Sequence, residues 1–285
     1  MTAAAERIPV RSGPRVATRV WRFVRHHVLT VYALLAFAYL LVPIAIVILF
    51  SFNHPAGRFN YTWQGFTLDN WKNWDGVPGI RPALELSLEI AAFSSIVATA
   101  LGTLIALALV RYRFRGRAGT NLLIFLPMST PEIVLGASLL TLFLTMSSTI
   151  QLGFGTVLIA HVMFCISYVV VTVKARLIGF DRHLEEAAMD LGANEFVTFR
   201  KVTLPLIAPA ILAGLLLCFA LSIDDFVITN FVAGSDVTFP LFVWGAARVG
   251  APPQINVIGT AIFAIAVTVM LLNVLIQMRR SKGAH

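Results

Sequence analysis

The chain has 285 residues, of which 58% are apolar and only 13% charged, with a formal net charge of +8. So little polar surface excludes an ordinary soluble domain and makes this a polytopic membrane protein. The positive charge is not a nucleic-acid signal, because it is concentrated in short segments beside apolar runs, where membrane topology and anionic headgroups account for it.

A helix needs about 20 apolar residues to cross a bilayer core. Six stretches meet that length: residues 28–50, 86–110, 121–146, 154–173, 206–233 and 256–277. They predict an all-α membrane protein of six transmembrane helices. Six arginines precede the first span, four lie in 111–117, five basic residues lie in 174–201 and three follow the last span, together 18 of 22. Basic residues stay on the cytoplasmic side, so both termini are expected there. The expected organisation is a cytoplasmic N-terminal tail (1–27), a single transmembrane domain (28–278) containing a cytoplasmic loop (174–205), and a cytoplasmic C-terminal tail (279–285). The first span resembles a secretory signal in its basic flank, but it is too long and no small-residue cleavage site follows it; it is taken as retained.

After the first span, residues 51–82 carry Phe59, Tyr61, Trp63, Phe66, Trp71 and Trp74 among Gly, Pro and Asn. Two readings stand: interfacial anchoring and contact with an extracytoplasmic partner through aromatic side chains. Glu85 and Glu89 open the second span at its outer end. The third span contains Pro127 and Pro131, each of which removes a backbone donor and bends a helix, with Glu132 next to the second. Such a kink is tolerated on protein or along an aqueous path. The fourth span holds His161 and Tyr168. A lone buried histidine is more often hydrogen-bonded structure than a proton carrier, and Tyr168, like Trp244, reads first as packing. Cys165 and Cys218 lie inside apolar runs and offer neither a disulfide framework nor a metal site.

Between the fourth and fifth spans, Asp181 can cap a helix over 182–191, with Glu185 and Glu186 near its positive end. Leu184, Ala187, Ala188 and Leu191 form a small apolar face, and Gly192 is a helix stop. Asn194 opens a second short helical stretch that carries Arg200 and Lys201 and leads to Leu204-Pro205. By pattern, a helix lying on the membrane and one docking a partner are equal alternatives. The fifth span ends in Ser222-Ile223-Asp224-Asp225. Glu132, Asp224 and Asp225 are carboxylates in apolar surroundings, which face protein or water when they occur in spans. No lysine or arginine lies in the core of a span to pair with them, so a cationic cargo is favoured over an anionic one. Adjacent residues point about 100° apart on a helix, so one aspartate is expected to serve a hydrogen bond instead of the path.

The order Glu186-Ala187-Ala188, three residues, Gly192, nine residues, Val202, one residue, Leu204-Pro205 resembles the cytoplasmic loop of binding-protein-dependent permeases of ATP-binding cassette (ABC) importers, with valine where isoleucine is commoner. Further segments are similar to spermidine and putrescine permeases: Ser51-Phe52-Asn53, Pro131-Glu132-Ile133-Val134, Ala160 to Cys165, Leu221 to Ile228, Arg248-Val249-Gly250 and Pro253 to Asn256. Glu132 stands where related permeases often have aspartate.

The resemblance implies a type I importer permease in the bacterial cytoplasmic (inner) membrane, moving polyamines. Its implied partners are a second permease subunit, an ATPase dimer and an extracytoplasmic binding protein. The coupling segment comprises Glu185, Glu186, Ala187, Ala188, Asp190, Leu191, Gly192, Leu204 and Pro205. The pathway comprises Glu132, Asp224, Asp225, Ser222, His161 and Tyr168. No phosphate loop, metal-ligand cluster or nucleophile elbow is present, so the chain is expected to be no enzyme and to hold no cofactor or metal, ATP and Mg being bound by the ATPase partner. Two alternatives remain: an importer permease for another small cation or chelate, and a self-sufficient ion-coupled transporter, which would have no use for the docking loop.

Overall fold

A computed structural model describes residues 16–57, 59–146 and 150–282. Residues 1–15 and 283–285, parts of the two expected tails, lie outside the described residues. Twelve α-helices are described, in the order α1 (Val16–Ser51), α2 (Asp69–Lys72), α3 (Ile80–Arg111), α4 (Arg117–Ser129), α5 (Glu132–Thr145), α6 (Phe154–Ile178), α7 (His183–Asp190), α8 (Glu195–Thr198), α9 (Leu204–Ile223), α10 (Val227–Val232), α11 (Phe239–Val249) and α12 (Pro253–Lys282). A π-helical turn, Phe199–Thr203, joins α8 to α9.

Five helical runs are long and apolar enough to cross a membrane, or six if α4 and α5 count as one broken span. The expected third span is therefore corrected, because α4 and α5 meet at 109° and do not form one kinked helix. The cause is local. Thr130 and Pro131 are extended, with ψ of 132° at both, as a proline demands of the residue before it. Pro127 stays inside α4. The expected fifth span is also interrupted: the helical run begins at Glu195, stops at Ile223, and resumes as α10 after Asp224, Asp225 and Phe226. Helix α11 was not anticipated as an element.

Contacts gather the chain into two compact units inside what the sequence treats as one transmembrane domain. The first holds the described residues up to Trp74 and those from Pro252 onward. There α1 packs on α12, with Val47 3.5 Å from where a Cβ on Gly259 would lie. The aromatic segment after α1 is knotted around Asn53, which is fully buried. Asn53 Nδ2 donates to Asn60 Oδ1 at 2.6 Å and to the Thr62 carbonyl at 2.8 Å, while its Oδ1 accepts from Gln64 N at 2.8 Å. Asn70 Nδ2 donates to the Ser51 and Asn53 carbonyls, and Phe52 stacks between Phe66 and Trp71 at 5.5 and 5.4 Å. Backbone groups that a loop would leave to water are here satisfied by side-chain amides.

The second unit, Asp75–Ala251, is centred on α3, α6 and α9. Its core contains Ile90, Ala98, Ala106, Leu109, Val169, Val173, Ile207 and Cys218. Small residues let these helices approach, as expected where packing rather than water expulsion holds helices together. A Cβ on Gly102 would lie 2.7 Å from Val169 Cβ, and one on Gly136 would lie 2.5 Å from the Phe231 ring. Gly102→Leu is therefore expected to cost at least 1–3 kcal/mol, roughly, by overpacking. Thermal unfolding in detergent checks this, and a melting temperature equal to wild type would show that α3 and α6 do not pack this closely.

Candidate functional site

Two groups of residues in the second unit contain most of the candidate site residues. The first is α7 and its surroundings. Asp181 Oδ1 accepts from His183 N at 3.0 Å at the start of the helix. At its end Gly192 has φ of +86°; Gly192 N donates to Met189 O at 2.9 Å and Ala193 N to Ala188 O at 3.1 Å. That pair of bonds is a Schellman stop, which needs the left-handed conformation glycine provides without strain. Asn194 Oδ1 accepts from Val197 N at 2.9 Å and caps α8.

The face of α7 offered to solvent contains Leu184, Glu186, Ala187, Met189, Asp190 and, 90% exposed, Leu191. Ala188 is half-buried, and Gly192, Leu204 and Pro205 are exposed. Glu186 Oε2 lies 3.1 Å from His183 Nδ1. Glu185 departs from its neighbours: its side chain is 9% exposed and bonds to Arg111, the last residue of α3, and to Thr203, the last residue of the π-helical turn. Arg182 Nη2 also donates to the Val110 carbonyl at 3.3 Å. Burial alone would raise the carboxyl pKa of Glu185, but the Arg111 guanidinium and Thr203 hydroxyl donating to it outweigh this and hold it below the ordinary range. The attachment of α7 is thus strengthened at any pH above the ordinary carboxylate value near 4.5, and that gain is lost as pH falls through the lowered value.

The second group surrounds the break between α9 and α10. His161 of α6 is buried, with Nδ1 2.6 Å from Ser222 Oγ and Nε2 3.0 Å from Thr229 Oγ1 and 3.3 Å from Asp225 Oδ2. Ser94 Oγ of α3 lies 3.0 Å from Ser222 Oγ. Asp225 Oδ2 accepts from Thr229 N at 2.8 Å and from Thr229 Oγ1 at 2.7 Å, capping the first turn of α10. One direction of donors satisfies every member: Ser94 to Ser222, Ser222 to His161 Nδ1, His161 Nε2–H to Asp225, Thr229 to Asp225. This arrangement needs only a neutral imidazole. Four helices, α3, α6, α9 and α10, are joined by it.

The six pathway candidates are therefore not one cluster. Asp225, His161 and Ser222 come together in the buried network, whereas Asp224, the residue after α9, is exposed. Glu132 is exposed as the first residue of α5, not mid-helix, where its charge favours the helix N-terminus. Tyr168 is half-buried against Phe164 at 5.0 Å. Glu85 is paired with Arg81 at 2.8 Å on the surface of α3. Trp244 lies between Phe226, 5.1 Å away, and the Arg248 guanidinium, 4.8 Å over its ring. Sequence reasoning sought a lysine or arginine partner for the aspartates and, although it named His161 and read it as hydrogen-bonded structure, did not pair it with Asp225. It also missed Arg111 and Thr203, which lie 74 and 18 residues from Glu185 in sequence. Among the described residues, no group of three or more His, Cys, Asp or Glu side chains is placed to hold a metal ion.

The model of the family described as "binding-protein-dependent transport system inner membrane component" matches residues 98–278. The spermidine/putrescine transport system permease protein PotC of Escherichia coli K12 is 42% identical over 248 residues, 87% of this chain and 92% of that protein. The putrescine transport system permease protein PotI of the same strain is 40% identical over 235 residues, 80% and 83% of the two chains. Among solved structures, a chain of a bacterial ABC transporter involved in import of the acidic polysaccharide alginate superposes with a TM-score of 0.62 at 20% identity, covering 95% of this chain and 99% of that one. At that identity the likeness concerns the fold alone.

Proposed function

The chain belongs to the family of binding-protein-dependent transport system inner membrane components, and from that membership we propose that it is a permease subunit of an ATP-driven importer of putrescine and spermidine. The observation that carries the cargo is the 42% identity to a spermidine/putrescine permease over nearly the whole of both chains. In this reading α4 and α5 together form one broken span, giving six in the bacterial cytoplasmic membrane, with both termini and α7 on the cytoplasmic side. The positions of 18 of 22 basic residues support that orientation.

The importer consists of this chain, a second permease subunit, two ATPase copies and an extracytoplasmic binding protein. ATP and Mg are bound by the ATPases, and this chain holds no cofactor. The exposed face formed by Glu186, Ala187, Leu191 and Gly192 receives the ATPase surface, because alanine and glycine allow close approach and a fixed helix end holds the face in place. Closure of the ATPases on ATP moves α7, and rigid-body displacement of the spans switches the path between its two sides.

Along the path, the exposed carboxylates of Asp224 and Glu132 supply negative potential for an ammonium-bearing cargo. Asp225, Ser222 and His161 hold the α9–α10 break that presents Asp224, and Tyr168 contributes an aromatic wall. The experiment is uptake of labelled putrescine and spermidine by cells with and without this chain, together with purification of the chain to see whether an ATPase accompanies it. Chain-dependent uptake with a bound ATPase is expected. Uptake that persists without ATP, driven by an ion gradient, would replace this reading with the secondary-transporter alternative.

A further inference from the structure

On α7 the exposed residues belong to the side that meets a partner, and Glu185 alone is turned into the protein. Its carboxylate takes a guanidinium from the C-terminal residue of α3 and a hydroxyl from the π-helical turn that begins the run into α9. These are two of the three helices of the core in the second unit. Thr203 is 1% exposed, so the bond lies inside the fold and not at its rim. A π-helical turn closes its hydrogen bonds one residue further along the chain than an α-helix, and such turns inside helices are frequent at functional sites. Glu185 therefore bonds to a rigid helix end and to the one irregular turn of the adjoining helix.

We propose that Glu185 is the positioning residue through which displacement of α7 reaches the spans, with Arg111 carrying it to α3 and Thr203 to α9. A charge pair with its carboxylate buried suits this role better than apolar contact. An apolar contact slides at little cost, whereas separating the desolvated carboxylate from its guanidinium leaves that carboxylate unpaired, so the three elements move together or not at all. Glu186, on the exposed side, touches the partner, and Glu185 transmits what the partner does. The second tie, from Arg182 to the Val110 carbonyl, keeps the start of α7 on the same helix end.

This inference rests on the reading of α7 as the ATPase-docking helix. Its test uses the whole importer reconstituted in vesicles, with putrescine uptake and ATP hydrolysis measured on the same preparation for wild type, Glu185→Ala, Glu185→Gln, and Glu185→Arg combined with Arg111→Glu. The expected result is at least a tenfold rise in ATP hydrolysed per putrescine imported for Glu185→Ala, a smaller rise for Glu185→Gln, and recovery of at least half the wild-type ratio in the exchanged pair. A ratio unchanged in Glu185→Ala, whether uptake is normal or both activities fall together, overturns the proposal, since loss of folding or docking lowers both without uncoupling them. Failure of the exchanged pair to recover, when Glu185→Ala is uncoupled, overturns the assignment of Arg111. If the wild-type chain carries no ATPase at all, it is the docking reading that fails, and that outcome appears before any variant is made.

Discussion

Asp225→Ala is expected to lower the melting temperature and abolish uptake together, while Asp224→Asn abolishes uptake and leaves the melting temperature unchanged. The two residues are adjacent in sequence and opposite in environment. Asp225 accepts from Thr229 N and Oγ1 and lies 3.3 Å from His161 Nε2. Removing it leaves the buried Thr229 hydroxyl and helix N–H groups short of an acceptor, with Thr229 Oγ1 the remaining one for His161 Nε2. Leaving a buried donor without an acceptor costs about 1–3 kcal/mol, and with more than one donor affected this corresponds, for a chain of this size, to a fall of roughly 10 °C. Asp225→Asn is expected to recover much of that loss, because asparagine caps a helix about as well as aspartate. Asp224 is exposed beside the break, so its replacement removes charge from the proposed path without unpairing a buried side chain. Fluorimetric melting of the purified chain and labelled-putrescine uptake in cells are the two measurements. Normal uptake in Asp224→Asn, or an unchanged melting temperature in Asp225→Ala, would reverse the division of roles.

Gly192→Asp is expected to reduce the ATPase recovered with the chain by at least tenfold while the spans remain folded. Gly192 has φ of +86°, and nothing lies within 4 Å of the position its Cβ would take. The damage would therefore come from conformation and added charge, not from a clash inside the chain. A residue with a Cβ costs about 1–2 kcal/mol in the left-handed region, enough to favour a different end to α7 and loss of the bonds from Gly192 and Ala193. Asparagine tolerates that region better than most residues, so Gly192→Asn is expected to retain more ATPase than Gly192→Asp. Co-purification of the ATPase, with the melting temperature as control, separates the cases. Equal recovery for Gly192→Asp and wild type would remove this end of α7 from the docking surface.

The local signals that proved legible depend on neighbouring residues. Asp181, Gly192 and Asn194 act within two to five residues of their partners, and such short-range bonds are visible as patterns in a sequence. The extents of the spans were legible to within a few residues where a run was uniformly apolar, since burying backbone in a membrane requires a helix. They were wrong where a polar pair or a proline interrupted the run. The pair Thr130-Pro131 turns α5 by 109° from α4, although a proline kink alone would have bent it less. In the same way, Asp224-Asp225 ended a helix that hydropathy carried on to residue 233, because Asp225 satisfies the N–H groups of a new helix instead of continuing the old one.

The sequence by itself determined that this is a multi-pass helical membrane protein and that a short capped helix lies between two of its apolar runs. Composition and short-range order are sufficient for those conclusions. Only the tertiary structure decided which glutamate of α7 is turned inward and which aspartate is held. Those outcomes depend on Arg111, Thr203, Ser94 and His161, which reach Glu185 or the α9–α10 break from distant parts of the chain. Whether a carboxylate is exposed or tied to a donor depends on what packs beside it, and hydropathy and periodicity carry no record of that.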